Sequence, residues 1–155
     1  MMNFLIQIIA GAFGTLGLVA MIGAPKKYLV YCASIGSITW IVYYAFFNYT
    51  NGSFTEPIAT FLGTAVGITL SRIYAVREKC PVTIFLVSSI FPLVPGAGIF
   101  WTAFYLATNQ LDLAGAKGFL AIKLALAIVL GIVVVFEFPQ SLINKLANIV
   151  PVKEK

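Results

Sequence analysis

The residues able to do chemistry are few. Across 155 residues there are 10 Lys and Arg, 5 Asp and Glu, 2 cysteines and no histidine, for a net charge of +5. The stretch whose residue types and spacing stand out is "SSIFPLVPGAGIF", 88–100, where Pro92, Pro95, Gly96 and Gly98 interrupt an apolar run. Proline has no N–H, and its ring clashes with the carbonyl four residues back. Pro92 is therefore expected to free the carbonyl of Ser88, and Pro95 that of Phe91. The residues before them, Phe91 and Val94, are biased towards extended backbone. The glycines leave their peptide groups uncovered. The pattern predicts one half-helix over 82–91, an opening at "PLVP", and a second half-helix beginning near Pro95. The first-turn amides of that second half, on Gly96, Ala97 and Gly98, would face into a bundle with the positive end of the helix dipole behind them, which suits a carboxylate. The competing reading is a proline kink that serves shape alone, with the Ser88 and Ser89 hydroxyls helping to satisfy the disrupted backbone.

Three more ionisable residues fall in or beside apolar runs. Arg72, in "TLSRIYAVREK", either snorkels to an interface as an anchor or joins the anion site. Lys123 and Glu137 are fourteen residues apart, roughly 21 Å along a helix, so they do not pair directly. Each lies near the end of its run, where snorkelling is the default. The functional reading makes Glu137 a proton-coupling carboxylate and Lys123 part of a carboxylate path. Glu56 and Asp112 fall in the connections and read as solvated.

Several chemistries lack their residues. Without histidine there is neither a His-based metal site nor a His-centred triad, and no HExxH, GxSxG or catalytic carboxylate pair is present, so neither an enzyme nor a metal or cofactor is expected. No GxxxxGK[ST] loop is present to draw on ATP. Cys32 and Cys80 have no CxxC spacing and read as structural.

The elements that must position these residues follow from composition: 61% of residues are hydrophobic and only 10% charged, which specifies an integral membrane protein and not a nucleic-acid binder. A hydrocarbon core about 30 Å thick needs about 20 apolar residues per helical crossing. Five runs meet this, at about 4–22, 28–47, 57–76, 82–107 and 119–138. The predicted fold is thus an all-α membrane domain of about five transmembrane helices, the fourth interrupted at the Pro/Gly motif. Residues 139–155 form a short cytoplasmic or membrane-surface tail whose Leu142, Ile143, Leu146, Ile149 and Val150 recur at helical spacing. "MMNFLIQ" has no basic n-region, so the first run is read as a retained helix and not a signal peptide. Lys26, Lys27, Arg72, Arg77, Lys79 and the tail lysines fall on one side, while the loop "NYTNGSFTE" has no Lys or Arg and "TNQLDLAGAKG" has Lys117 alone. The positive-inside rule then puts the N-terminus outside and the C-terminus in the cytoplasm of a multi-pass cell-membrane protein. Gly11, Gly14 and Gly17, the pair Ala33 and Ser37, and the pair Gly63 and Gly67 offer small-residue faces, either for packing inside the bundle or for a partner. An odd number of crossings without an internal repeat points to a second polypeptide or a second copy.

Three stretches resemble a known family. "ASIGSITWIVYY", "EPIATFLGTAVGITLSRIYAVREKCP" and "IFPLVPGAGIFWTAFYL" are similar to the small, C-terminal-half subunit of the split threonine/serine exporter (ThrE-like) family. The resemblance covers about 10–138. It implies export of small polar carboxylate-bearing solutes such as threonine and serine, energised by the proton gradient, with a companion subunit supplying further helices and a soluble segment. The family's proline and glycine motif falls on Pro92, Pro95 and Gly96, and its Ser-Arg pair on Ser71 and Arg72. Two other functions stay open: export of dicarboxylates such as succinate, and a non-transporting structural or assembly subunit.

Overall fold

The computed structural model describes residues 2–49 and 55–149. Most of the "NYTNGSFTE" loop, and the tail from residue 150 with Lys153 and Lys155, lie outside the described residues. Among those described, the chain is helical throughout, with seven α-helices: α1 Met2–Met21, α2 Leu29–Tyr49, α3 Thr55–Glu78, α4 Thr83–Ile90, α5 Gly96–Ala107, α6 Leu111–Phe136 and α7 Gln140–Ile149. Single 3₁₀ turns cover Lys26–Tyr28 and Phe91–Leu93.

Three helical segments, Lys26–Asn48, Glu56–Glu78 and Leu111–Phe136, are long and apolar enough to cross a membrane. The pair Thr83–Leu93 and Gly96–Ala107, bent by 54°, makes a fourth if counted as one broken span. The expected count of five is therefore three to four by length and composition. The remaining expected span is α1, which runs 20 residues over Met2–Met21, about the length that a crossing takes, and of which the apolar stretch Ile6–Met21 has described side chains. The case for a bilayer is plainest on α6. It buries a stripe that includes Ala121, Leu124, Ile128 and Val135, yet its opposite face exposes Phe119, Ile122, Leu126, Val129 and Val133. A helix apolar all round but packed on one side only has lipid as the fitting neighbour for the other.

Helix α6 begins at Leu111, eight residues before the run counted from 119. Asp112 and Lys117, expected in a loop, are therefore helical. Asp112 stands in the first turn, where a negative charge complements the helix dipole. Likewise Glu56 belongs to the first turn of α3.

Packing runs α1 on α2, α2 on α3, α3 on α6, α5 on α6, and α4 between α2 and α3. Small residues set the approaches. Gly67 of α3 faces the hydroxyl of Thr39 on α2, and a Cβ there would also come within 2.8 Å of Ser89 Cβ on α4. Gly63 meets the Thr39 carbonyl and Tyr43, and Gly11 meets Trp40. Gly14 and Gly17 face open space, while the tightest α1–α2 approach is Gly36 against Thr15. Phe85 fixes α4: it is fully buried, as are Cys32 and Ile35, it clusters with them and Ala75, and Tyr28 meets its ring edge-on at 5.6 Å between centroids. Serine and threonine hydroxyls turn back to carbonyls one turn earlier, as in Thr15 to Gly11 and Thr64 to Thr60, so few polar groups are left to face lipid.

The Ser71–Arg72 pair joins α3 to its neighbours on both sides. Ser71 Oγ lies 3.0 Å from the Phe85 carbonyl on α4. Arg72, only 8% exposed, donates to the carbonyls of Val135 and Phe138 at 2.5 and 3.1 Å and to Gln140 Oε1 at 2.9 Å. A cation on the last carbonyls of a helix satisfies acceptors that have no partner within it. The tail helix α7, expected as a cytoplasmic or membrane-surface segment, packs Ile143 and Ala147 against Ile73 and Val76 of α3, and Arg77 donates twice to the Ala147 carbonyl.

Candidate substrate site

The break between α4 and α5 is local chemistry of proline and glycine. Pro92 does not open the chain: it sits in the first positions of the 3₁₀ turn Phe91–Leu93, and Phe91, expected to be extended, stays helical at φ −55°, ψ −44°. A proline tolerates the start of a helical turn, where its missing N–H is not needed. The opening comes at Val94, which is extended at φ −59°, ψ 126°, followed by Pro95 at φ −75°, ψ 54°. These last angles are those of an inverse γ-turn, and the Gly96 N–H accordingly donates to the Val94 carbonyl at 2.7 Å. The Phe91 carbonyl, expected to be freed, accepts from Val94 N–H at 3.3 Å.

One of the three amides assigned to an anion is thus already spent. Those of Ala97 and Gly98 remain in the first turn of α5, with no side-chain cap and no backbone partner among the described residues. Gly98 packs on α6, where its Cβ position lies 3.4 Å from Ala121 Cβ, and the Cβ position of Gly96 faces open space.

That open space is a pair of cavities meeting at the break. The larger, about 410 Å³, is lined by Pro92, Pro95, Gly96, Ala97 and Gly98 together with Trp40 and Tyr43 of α2, Glu56 and Thr60 of α3, Trp101 of α5 and Lys117 of α6. Its volume lies within the roughly 300–1,000 Å³ of small-molecule sites. The smaller, about 330 Å³, lies towards α1, where Gly11, Gly14 and Thr15 line it with Pro92, Gly96 and Ala97. Trp40 lines both cavities, and its Nε1–H donates to Gln7 Oε1 at 2.9 Å. The larger cavity lies between the middle of α2 and the starts of α3 and α5, and runs along α6 from Lys117 to Leu124.

The other residues singled out in the sequence lie elsewhere. Ser88 is fully buried in the α4 core with its hydroxyl 3.4 Å from the Ile84 carbonyl, and Ser89 donates to Leu86, so neither hydroxyl serves the break. Arg72 is occupied at the far end of α6. Lys123 is exposed on α6 with Nζ 4.5 Å from the Phe119 ring centroid, in a separate cavity with Pro57, Ile58 and Phe61. Glu137 is exposed at the C-terminal cap of α6. Conversely, Glu56, Lys117, Tyr43 and Trp101 line the cavity without having been read as site residues. The sequence places the two charges in connections, and aromatic residues such as Tyr43 and Trp101 fit pore linings as well as interfacial belts. The one available signal was that both charges lie within two turns of a helix start.

A broken helix whose uncapped start lines a cavity is an arrangement that transporters use. A family profile described as "Threonine/Serine exporter, ThrE" matches residues 7–137. The chain belongs to the threonine/serine exporter family. No curated protein and no solved structure matches it. As a member of the threonine/serine exporters it is a membrane-embedded protein of a transporter family and not of an enzyme class. The matched segment takes in α2 to α6 and most of α1, and so the break and both cavities.

Proposed function

We propose that this chain is one part of a secondary exporter that moves threonine and serine outward across the cell membrane, driven by the proton gradient and working with a companion membrane subunit or a second copy. The observation that carries the reading is the cavity of about 410 Å³ lined by the uncapped start of α5. Two unpaired amides at a helix N-terminus stabilise a carboxylate, and the cavity supplies the polar surroundings that irregular backbone needs at membrane depth. Orientation follows the charge asymmetry, with the α2–α3 end outside.

The test is efflux of labelled threonine and serine from preloaded cells expressing the chain with and without its companion. Faster efflux with both subunits, abolished by a protonophore, is expected. Unchanged efflux with both proteins detected in the membrane overturns the proposal.

A further inference from the structure

The larger cavity carries one charge of each sign. Glu56, half-buried in the first turn of α3, and Lys117, in the second turn of α6, both line it. Neither side chain has a hydrogen bond or ion pair among the described residues, where the ion pair is Lys27 with Glu78, at 2.8 Å. The same space is lined by Ala97 and Gly98, whose amides are uncapped. The cavity therefore offers donors for an anion and, separately, a carboxylate for a cation.

We infer that Glu56 is the residue that recognises the α-ammonium group of the transported amino acid, while the start of α5 and Lys117 take its carboxylate. The inference rests on the export reading above and adds the feature that selects among carboxylates. A zwitterion satisfies both ends of this cavity. A dicarboxylate sets its second anion against Glu56, and a hydroxy acid leaves Glu56 without a cation; like-charge contact and unpaired charge are both costly where water is scarce. Trp40, Tyr43 and Trp101 wall the space with ring surface, lowering the local dielectric and strengthening each charge contact.

The test uses the purified full chain in lipid nanodiscs with three probes. These are L-serine, glycerate, which replaces its ammonium by a hydroxyl, and ethanolamine, which lacks its carboxylate. Wild type is expected to bind serine on the order of tenfold more tightly than either analogue. Glu56→Gln should cost serine on the order of tenfold while leaving glycerate within about twofold. Equal binding of serine and glycerate by wild type overturns the inference whatever the variant does, as does a Glu56→Gln protein, eluting as wild type on size exclusion, that keeps the serine preference. If serine efflux from cells is intact in either case, the export reading survives. Failure of wild type to bind any of the three probes, together with absent efflux, overturns both.

Discussion

The hydroxyl oxygen of Thr39 on α2 occupies the place that a side chain on Gly67 of α3 would need. Thr39 is fully buried, and its Oγ1 has no hydrogen-bond partner among the described residues. Gly67→Ala is expected to force α2 from α3 and lower stability by about 1–3 kcal/mol, read as a fall in melting temperature by circular dichroism in detergent. Thr39→Ala in the same chain should recover most of the loss. Additive losses in the double variant would show that the two residues are not in contact.

Gly96→Ala separates the break from the fold. The added methyl points into open space at an ordinary backbone angle, so melting temperature should change by less than about 0.5 kcal/mol equivalent. Yet the methyl enters the wall of both cavities, and threonine efflux is expected to fall on the order of tenfold, since even a small misplacement at a binding site is costly. Full efflux at normal expression would reduce the break to a kink.

Arg72→Met should act on stability and not on selectivity. It removes the guanidinium from the Val135 and Phe138 carbonyls, leaving Val135 its backbone donor from Phe138, and releases Gln140, at a cost of about 1.5–3 kcal/mol for hydrogen bonds to a charged group. Because α7 follows directly, tryptic cleavage at the exposed Lys145 should quicken. The preference for serine over glycerate should stay as in wild type; a change there would place Arg72 in the anion path after all.

Cys80, between α3 and α4, gives a probe of that corner. Burial pushes its thiol above the ordinary range, and a hydrogen bond from Tyr28 opposes this only in part. The thiolate is the reactive form, so a raised pKa means slow alkylation at neutral pH. The rate should climb about tenfold per pH unit and level only at a higher pH than that of a free cysteine thiol. Cys32 is fully buried and should not contribute. A rate that levels near pH 8 would contradict the burial.

The break was legible because prolines and glycines act on the backbone within a few residues of themselves. Even so, one proline was misjudged: whether Pro92 breaks a helix or starts a turn depends on how the chain continues, and Gly96 lost its amide to a turn that no spacing rule reveals. Glu56 and Lys117 were missed for a different reason. Counting apolar residues draws each span inside its charges, at 57 and 119, whereas the helices start at Thr55 and Leu111 and carry those charges to the cavity. Arg72 could be seen to be near a membrane boundary, but its partners lie more than sixty residues away. Likewise Gly63 and Gly67 advertised a close approach, and Gly36 against Thr15 did not, since a contact between one glycine and one threonine leaves no periodic trace.

The γ-turn at Pro95 bears on how the two halves of the broken span can move. Phe85 wedges α4 between α2 and α3, whereas α5 rests on α6 through small residues such as Gly98 and Gly118. Any swing of α5 against α4 is concentrated in the torsions of Val94 and Pro95, and the pyrrolidine ring holds one of those fixed. The joint is braced by a lone 2.7 Å bond from Gly96 to Val94. Breaking that brace would hand a third amide to whatever occupies the cavity, so opening the joint and gripping an anion draw on the same hydrogen.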